Sequence, residues 1–350
     1  MRRCSPGRWS HALLCLVPVT VLILVCASFQ AEGVNTIVPA AAESAAGPDW
    51  EFPRLSFPGF YFADHISSYR AREAARPYGA VTETELARAA AYERSILLNN
   101  DILAFYGHPL SPNMGILGRY SMEELDALLE ELAEEYRQVN GGRGLLKAFY
   151  IIYGTVWPQG EIGILNESVL EAYIRFAQER NILVFIDHQI GRYDPIDALE
   201  TILPYLRYPN VHLALDPEWR TTRPMEDIGT ISGGEINRAQ RIIEDYLEEN
   251  RLPGERMLVI HQFNWRMISG RPEVRSDFDR VRLIHCADGF GSPALKRLSY
   301  AYNAQAANMP IKAFKLFYNF DIPGAGYDEP LLTPQEVFEL RPRPYLIMYQ

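Results

Sequence analysis

The amino-acid sequence predicts an α/β fold, and within that class a (β/α)8 TIM barrel, between residues 100 and 350. Three observations support this prediction: eight short apolar runs recur, each ends in a polar or charged residue, and most neighbouring runs are separated by a stretch with helical periodicity. The runs are apolar throughout because strands of a parallel barrel are packed on both faces. The predicted strands are 102–106, 146–153, 182–186, 211–215, 257–260, 281–284, 311–318 and 345–349.

Helix-start signals lie between most of these strands. Ser121 followed by Glu124 is a capping-box pattern, and Asn166 is a residue type that commonly caps a helix. Asp194 is a further cap, and Pro195 after it occupies a position where a missing backbone N–H costs little. The predicted helices are 121–139, 166–180, 195–208, 234–250, 271–280, 292–308 and 333–340.

The outer ring of helices is predicted to be incomplete. No helical segment follows the eighth strand, which runs to Gln350. Residues 82–98 have a Thr cap, early glutamates and apolar residues at helical spacing, and they lead directly into the first strand. We therefore expect that the eighth outer helix is absent and that the helix before strand one fills its place.

Four segments are predicted along the chain. Residues 1–31 are predicted to be a signal peptide or lipoprotein leader, and 32–49 a flexible tether, because the latter are rich in Ala and poor in large apolar residues. Residues 50–99 form an N-terminal extension that carries the 82–98 helix, and 100–350 form the barrel.

The leader prediction rests on a basic start followed by a short apolar run. Arg2, Arg3 and Arg8 precede the apolar residues 12–27, a pattern typical of secretory signals. Cleavage after Ala27, lipid attachment at the preceding cysteine and an uncleaved single span are the alternatives, since the run approaches the lower end of spanning length. Each alternative places the barrel outside the cytoplasm, as a periplasmic, cell-surface or secreted protein.

Composition limits the class of partner. The chain carries a formal net charge of −10 and shows no basic stripe, which argues against nucleic acid. The expected partner is a carbohydrate or another small polar substrate, and membrane contact is expected only through the leader or a lipid anchor. Cys286 is the only cysteine of the globular part, so we predict no internal disulfide and no cysteine zinc site there, and interpret it as a buried strand residue.

The polar residues that end the strands are the candidates for chemistry, because active sites of such barrels lie at the C-terminal ends of the strands. Asp216 and Glu218, separated by Pro217, place two carboxylates roughly 6.6 Å apart along an extended backbone. Like charges at that distance raise one pKa, which gives an acid and a base from the same residue type. Glu218 is the predicted acid, and Asp216 or Asp187 the predicted base or stabiliser of positive charge, as in glycoside hydrolysis.

The Asp216-Pro217-Glu218 segment at the end of strand four resembles the Asp-x-Glu of chitinase-type glycoside hydrolase barrels. The resemblance implies that Glu218 is the general acid and that Asp216 orients a substrate amide. It covers these two residues only, because the longer motif of that family has aspartates where this chain has Val211 and Ala214.

Further residues at the strand ends are predicted to bind the substrate. Trp219 and Trp265 follow strands four and five, where an indole ring suits stacking on a sugar. Histidine, amide and other polar side chains at the same ends suit hydroxyl groups. The predicted substrate-binding residues are His108, Tyr153, His188, Trp219, Arg220, His261, Gln262, Trp265, Asp288, Lys315, Tyr318 and Asn319.

Two other functions remain open at this stage. The first is a metal-dependent hydrolase that uses a ring of His and Asp side chains (His108, His188, His261, Asp187, Asp216 and Asp288). The second is a non-catalytic, sugar-binding envelope protein. No local metal-binding spacing is present, so we predict neither a cofactor nor a metal ligand.

Overall fold

The computed structural model describes residues 95–350, which form a closed barrel of eight parallel strands. Each strand pairs with the next along the chain, and the last pairs with the first, for example Leu346 with Ile102. The predicted fold class is therefore confirmed. The strands are β1 Asn100–Gly107, β2 Gly144–Val156, β3 Leu183–Gln189, β4 Val211–Asp216, β5 Arg256–His261, β6 Val281–Ala287, β7 Ile311–Leu316 and β8 Leu346–Tyr349.

Six of the helices surround the barrel, and their first turns follow the capping signals. Ser121, Ser232 and Thr333 each form a complete capping box with the glutamate three residues later. Asn166 and Asp194 accept backbone N–H bonds as predicted. The helices are α1 Met122–Arg137, α2 Glu167–Glu179, α3 Pro195–Ile202, α4 Gly233–Glu249, α5 Pro293–Ala304 and α6 Pro334–Phe338.

The helix predicted at 271–280 is wrong. Only the 3-10 turn Arg271–Glu273 forms, and the chain then runs extended. The backbone of this segment bonds to side chains of α4 instead of to itself: Arg275 N–H donates to Asn237 Oδ1 at 2.7 Å, and Gln240 Nε2 donates to the Arg275 carbonyl at 2.7 Å.

Side chains of alternate residues along each strand face either the barrel interior or the helices, as the period of two requires. On β1, Ile102, Ala104 and Tyr106 join the interior cluster, whereas Leu103 and Phe105 pack in the outer layer against the helices. The side-chain parity of each strand therefore decides which of its polar residues reach the interior.

Little of the predicted N-terminal organisation falls on the described residues. The leader, the tether and most of the 82–98 helix lie outside them, and of that helix only the turn Ile96–Asn99 is described. Leu97 of this turn is fully buried in the interior cluster at the N-terminal end of the strands. Whether residues 82–94 occupy the outer ring stays a prediction. Within 95–350, no helix is both long and apolar enough to cross a membrane.

Candidate active site

A cluster of charged side chains fills the interior at the C-terminal ends of the strands. Asp187 lies near the end of β3, Asp216 ends β4, His261 ends β5, Asp288 follows β6, and Lys315 lies near the end of β7. All five are at most 6% exposed. Because strand alternation aims them at one hollow, residues far apart in the sequence form a single group. We call these five residues, together with Glu218, the mouth cluster.

Two tyrosines of the interior complete the hydrogen bonding of the mouth cluster. Tyr106 donates its hydroxyl proton to Asp187 Oδ2 at 2.9 Å. His261 lies between Asp288, whose Oδ2 is 2.9 Å from Nδ1, and Tyr150, whose hydroxyl is 2.7 Å from Nε2. The same Nε2 lies 4.0 Å from Asp187 Oδ2. His261 is thus fixed by a partner at each ring nitrogen.

The Asp216–Glu218 pair is held by a tight turn. Pro217–Trp219 form a single 3-10 turn capped by Asp216, whose Oδ1 accepts the Glu218 backbone N–H at 3.3 Å. Asp216 Oδ2 accepts the Trp219 indole N–H at 3.1 Å. Both oxygens of Asp216 are therefore engaged, and Trp219 is fixed beside the carboxylates at the mouth.

Negative charge exceeds positive charge in the mouth cluster. Four carboxyl groups, Asp187, Asp216, Glu218 and Asp288, face two cationic side chains. The ammonium group of Lys315 lies 3.6 Å from the centre of the Tyr106 ring. Since unpaired charge is costly in such an enclosed place, the excess of two acids favours protonation of two carboxyl groups.

The pKa shifts indicate which carboxyl groups favour the protonated form. Burial raises the pKa of Asp216 to about 7. Burial, and after it the neighbouring Asp216 carboxylate, raise the pKa of Glu218 well above its ordinary value. Burial also raises the pKa of Asp187. Burial alone would lower the pKa of His261, but Asp187 and Asp288 overcome it and raise that pKa well above the ordinary value. These shifts favour a cationic His261 and a protonated Glu218.

Two carboxylate oxygens of the mouth cluster are buried without a hydrogen-bond partner among the described residues, namely Asp187 Oδ1 and Asp288 Oδ1. In addition, ligand atoms of Asp216, His261 and Asp288 all lie within 4.8 Å of one another, close enough to surround one cation. The arrangement can therefore supply proton donors and acceptors, and it also holds a donor set suited to a hard or borderline metal ion.

Two predicted substrate-binding residues from strands two and three lie outside the mouth cluster. Tyr150 and Asp187 face the interior, so Tyr153 and His188, at the opposite parity, face the helices. Tyr153 packs 5.9 Å from the Tyr205 ring, and the His188 ring lies 6.1 Å from that of Tyr153. That these two residues bind the substrate stays a prediction.

Two predicted substrate-binding residues from strands five and seven also lie outside the mouth cluster. Gln262 follows the inward His261 and points outward, where its Oε1 accepts from His285 Nε2 at 2.8 Å. Tyr318 packs against the outer layer and stacks on Tyr349, with ring centres 5.2 Å apart. Neither side chain joins the mouth cluster.

Four further predicted residues lie on loops around the mouth. Arg220 pairs with Glu235 at 2.9 Å, and His108 accepts a backbone N–H bond within its own loop. Trp265 and Asn319 are exposed. These side chains belong to the rim and not to the buried cluster.

The residues that sequence reasoning missed are Tyr106 and Tyr150, both buried and both bonded to the mouth cluster. The available signal was parity: Tyr106 has the same parity as Ala104, and Tyr150 the same as Ala148, two small residues that suit a barrel interior. Cys286 is buried as expected, and burial raises the pKa of its thiol beside His261.

No protein-family model and no curated protein matches this chain. Its fold resembles that of a chitinase from Chromobacterium violaceum, with a TM-score of 0.36, 9% identity, and coverage of 62% of this chain and 68% of that one. The fold also resembles that of a GH18 chitinase, ChiB, from Flavobacterium johnsoniae, with a TM-score of 0.40, 11% identity, and coverage of 72% of this chain and 87% of that one. The spore cortex-lytic enzyme SleL from Bacillus cereus matches with a TM-score of 0.32, 12% identity, and coverage of 63% of this chain and 50% of that one.

Proposed function

We propose that the protein is a glycoside hydrolase that acts on a carbohydrate by carboxylate acid–base catalysis at the mouth of the barrel. The observation that supports this most strongly is Glu218, held next to Asp216 in a site where carboxyl groups outnumber cations by two. A carboxyl group with a raised pKa is what a general acid for a glycosidic oxygen requires, and burial raises the pKa of Glu218.

In the proposed reaction, Glu218 protonates the leaving oxygen of the glycosidic bond. Positive charge then develops on the sugar, and an ionised Asp216 or Asp187 stabilises that charge or activates the attacking group. Asp216 is suited to this because the Trp219 indole and the Glu218 backbone fix both of its oxygens. Trp219, partly exposed at the same place, offers a ring face to the sugar.

His261 and Lys315 have a supporting role in this proposal. Their charges lower the pKa of Asp187, Asp216 and Glu218 relative to what burial alone would give, which favours an ionised carboxylate beside a protonated one. This separation of roles among carboxyl groups is the condition for having an acid and a base in one site.

The direct test is Glu218→Gln, which keeps the size of the side chain and removes its transferable proton. We expect turnover on a panel of cell-wall and storage glycans to fall on the order of 10³-fold, with unchanged thermal unfolding. Glu226→Gln, at an exposed position of the same loop, is the matched control and should retain activity. A Glu218→Gln variant as active as the wild type would refute the proposed acid. Glycan binding without turnover in the wild type would instead favour a sugar-binding protein.

A metal-dependent hydrolase is the second candidate, favoured by the proximity of Asp216, His261 and Asp288. These residues would hold a divalent ion, which would activate a water molecule. Against it, both ring nitrogens of His261 already bind protein partners, so a metal would have to displace Asp288 or Tyr150. Metal analysis of purified protein separates the two: a stoichiometric ion whose removal abolishes turnover would favour the second candidate.

We also propose that the protein acts outside the cytoplasm, supported by the basic start and the apolar run 12–27. Fractionation of cells that express the full chain tests this. Recovery of all protein with the cytosol would contradict it.

A further inference from the structure

A buried ion pair lies behind strands β6 and β7, outside the mouth cluster. It joins Lys296 of α5 to Asp328 of the connection between β7 and α6, with Nζ 3.1 Å from Oδ2. Both residues are almost fully buried, and the ammonium group lies 4.7 Å from the centre of the Phe314 ring in the outer layer. Buried charges are costly, and well-packed apolar residues of similar volume often stabilise a core equally well. The pair therefore calls for an explanation other than packing.

The ammonium group of Lys296 uses all three of its donors on groups close to the mouth. It donates to the carbonyl of Gly289 at 2.6 Å, to the carbonyl of Lys315 and to the Asp328 carboxylate. Gly289 directly follows Asp288, and Lys315 is itself a member of the mouth cluster. One buried side chain thus holds the backbone at two members of that cluster, which come from neighbouring strands.

Asp328 extends the same connection to two further backbone groups. Its Oδ1 accepts the N–H of Gly291 at 2.9 Å, and its Oδ2 accepts the N–H of Phe317 at 3.0 Å. Gly291 lies in the connection after β6, and Phe317 directly follows β7. The ion pair, which we call the buried bridge, therefore fixes the chain after β6 against the end of β7 through four backbone groups.

We propose that the buried bridge positions Asp288 against His261, so that Lys296 and Asp328 are positioning residues for the mouth cluster. The inference rests on the proposed function, because it assigns supporting residues to that same site. Asp288 Oδ2 lies 2.9 Å from His261 Nδ1. A hydrogen bond of this length weakens steeply when its partners move apart or lose their alignment. Small shifts of the backbone at Asp288 would therefore loosen the imidazole from its carboxylate.

The His261 side of this contact is held independently of the buried bridge. His261 Nε2 lies 2.7 Å from the Tyr150 hydroxyl, and Asn303 donates to the carbonyl of the next residue, Gln262, at 3.0 Å. Removal of the bridge should leave the imidazole in place and release Asp288, because the carbonyl of the residue after Asp288 loses its donor. The hydrogen bond between His261 and Asp288 is therefore the contact that reports on the bridge.

The test follows the Nδ1–H proton of His261 by NMR, in the full chain and without substrate. A strongly hydrogen-bonded imidazole N–H appears far downfield of the backbone amides, and its absence from His261→Gln assigns it. We expect the double variant Lys296→Met with Asp328→Asn to move this signal upfield and to speed its exchange with water roughly tenfold. The double variant keeps the net charge and leaves no unpaired charge buried, so the change reports on geometry.

A second variant and a control separate positioning from a general loss of stability. Lys296→Met alone should change the signal at least as much as the double variant does. At the N-terminal end of the barrel, Glu255→Gln with Arg282→Met removes another buried ion pair, whose atoms lie 2.8 Å apart, and should leave the signal unchanged. On a glycan that the wild type hydrolyses, the double variant should lower kcat and leave KM unchanged, because the bridge lies behind the strands.

An unchanged Nδ1–H signal in the folded double variant would overturn the inference, and so would an equal change in the control at the N-terminal end. A double variant that does not fold would also overturn it, because the ion pair would then be a requirement of the fold and not of the site. The NMR measurement needs no substrate, so its outcome is independent of the proposed function, which fails instead if no glycan is hydrolysed.

Discussion

The two ends of the barrel both bury acidic side chains, but they balance the charge differently. At the N-terminal end, Asp101 is fully buried and accepts from Arg143 Nε at 3.0 Å and from the two terminal nitrogens of Arg343 at 2.7 Å each. At the opposite end, four carboxyl groups share two cations, and oxygens of Asp187 and Asp288 have no hydrogen-bond partner among the described residues.

The difference shows how to separate a structural acid from a functional one. A buried carboxylate with full pairing is stable in one protonation state, so it can fix neighbouring segments but cannot exchange a proton readily. A buried group with too few counter-charges holds its proton at a raised pKa and can release it when the surroundings change. By this criterion, the C-terminal mouth of the barrel is the end suited to proton transfer, and its N-terminal end, the floor, is suited to stability.

The largest effect on stability is expected at the floor. Asp101→Asn would leave two arginines facing a neutral amide, and loss of one partner of a buried pair costs about 3–5 kcal/mol. Partial exposure of both arginines places the expected loss at the lower end, about 3 kcal/mol of unfolding free energy. Urea unfolding at neutral pH measures it.

The matched variant at the mouth is Asp187→Asn, which keeps an oxygen for the Tyr106 hydroxyl. Here we expect a change of less than about 1 kcal/mol, because neighbouring acids can release a proton when one negative charge is removed. Equal losses for Asp101→Asn and Asp187→Asn would contradict the distinction between the two ends.

The barrel itself was predictable from the sequence because parallel strands leave a strong signal. All eight apolar runs are strands, and the capping residues Ser121, Asn166 and Asp194 begin their helices as predicted. The segment 271–280 was not predictable, because its backbone partners are side chains of α4, which lie more than thirty residues away in sequence. Local pattern cannot report such long-range bonds.

The candidate site was predictable in part for a related reason. The ends of the strands locate the mouth, which brings together Asp187, Asp216, Glu218, His261 and Asp288. Alternate residues of a strand face inward, so the polar residue that reaches the interior can be identified only if the start of the strand is known. The sequence alone does not give that start to the exact residue. His188 and Gln262, each one residue from an inward side chain, therefore point the other way.

A smaller effect is the pH dependence of stability that Asp216 contributes. Its pKa rises from an ordinary value of 3.8 to about 7 on folding, so the folded chain holds this proton more tightly than the unfolded chain. The resulting stabilisation is complete below about pH 4 and is lost as the pH rises through about 7. We therefore expect Asp216→Asn to gain stability relative to wild type between those two pH values.

Urea unfolding of both proteins at intervals across this pH range gives the difference curve. The curve should be flat below pH 4, where Asp216 is protonated in both states, and should rise up to about pH 7. A difference that shrinks with rising pH would mean that the carboxylate is paired in the folded state, as Asp101 is, and the contrast between the two ends would fail.

The smallest expected effect is on the pH profile of activity, through His261. Its positive charge lowers the pKa of both Asp216 and Glu218, so His261→Gln should raise both and shift the alkaline limb of the rate profile upward by about one pH unit. His212→Gln is the control, because burial lowers the pKa of His212 well below its ordinary value and leaves it neutral. Removing a neutral imidazole removes no charge, so the limb should stay in place. A limb that moves equally in both variants, or moves downward in His261→Gln, would show that the proton on Glu218 is not set by the charge balance of the mouth.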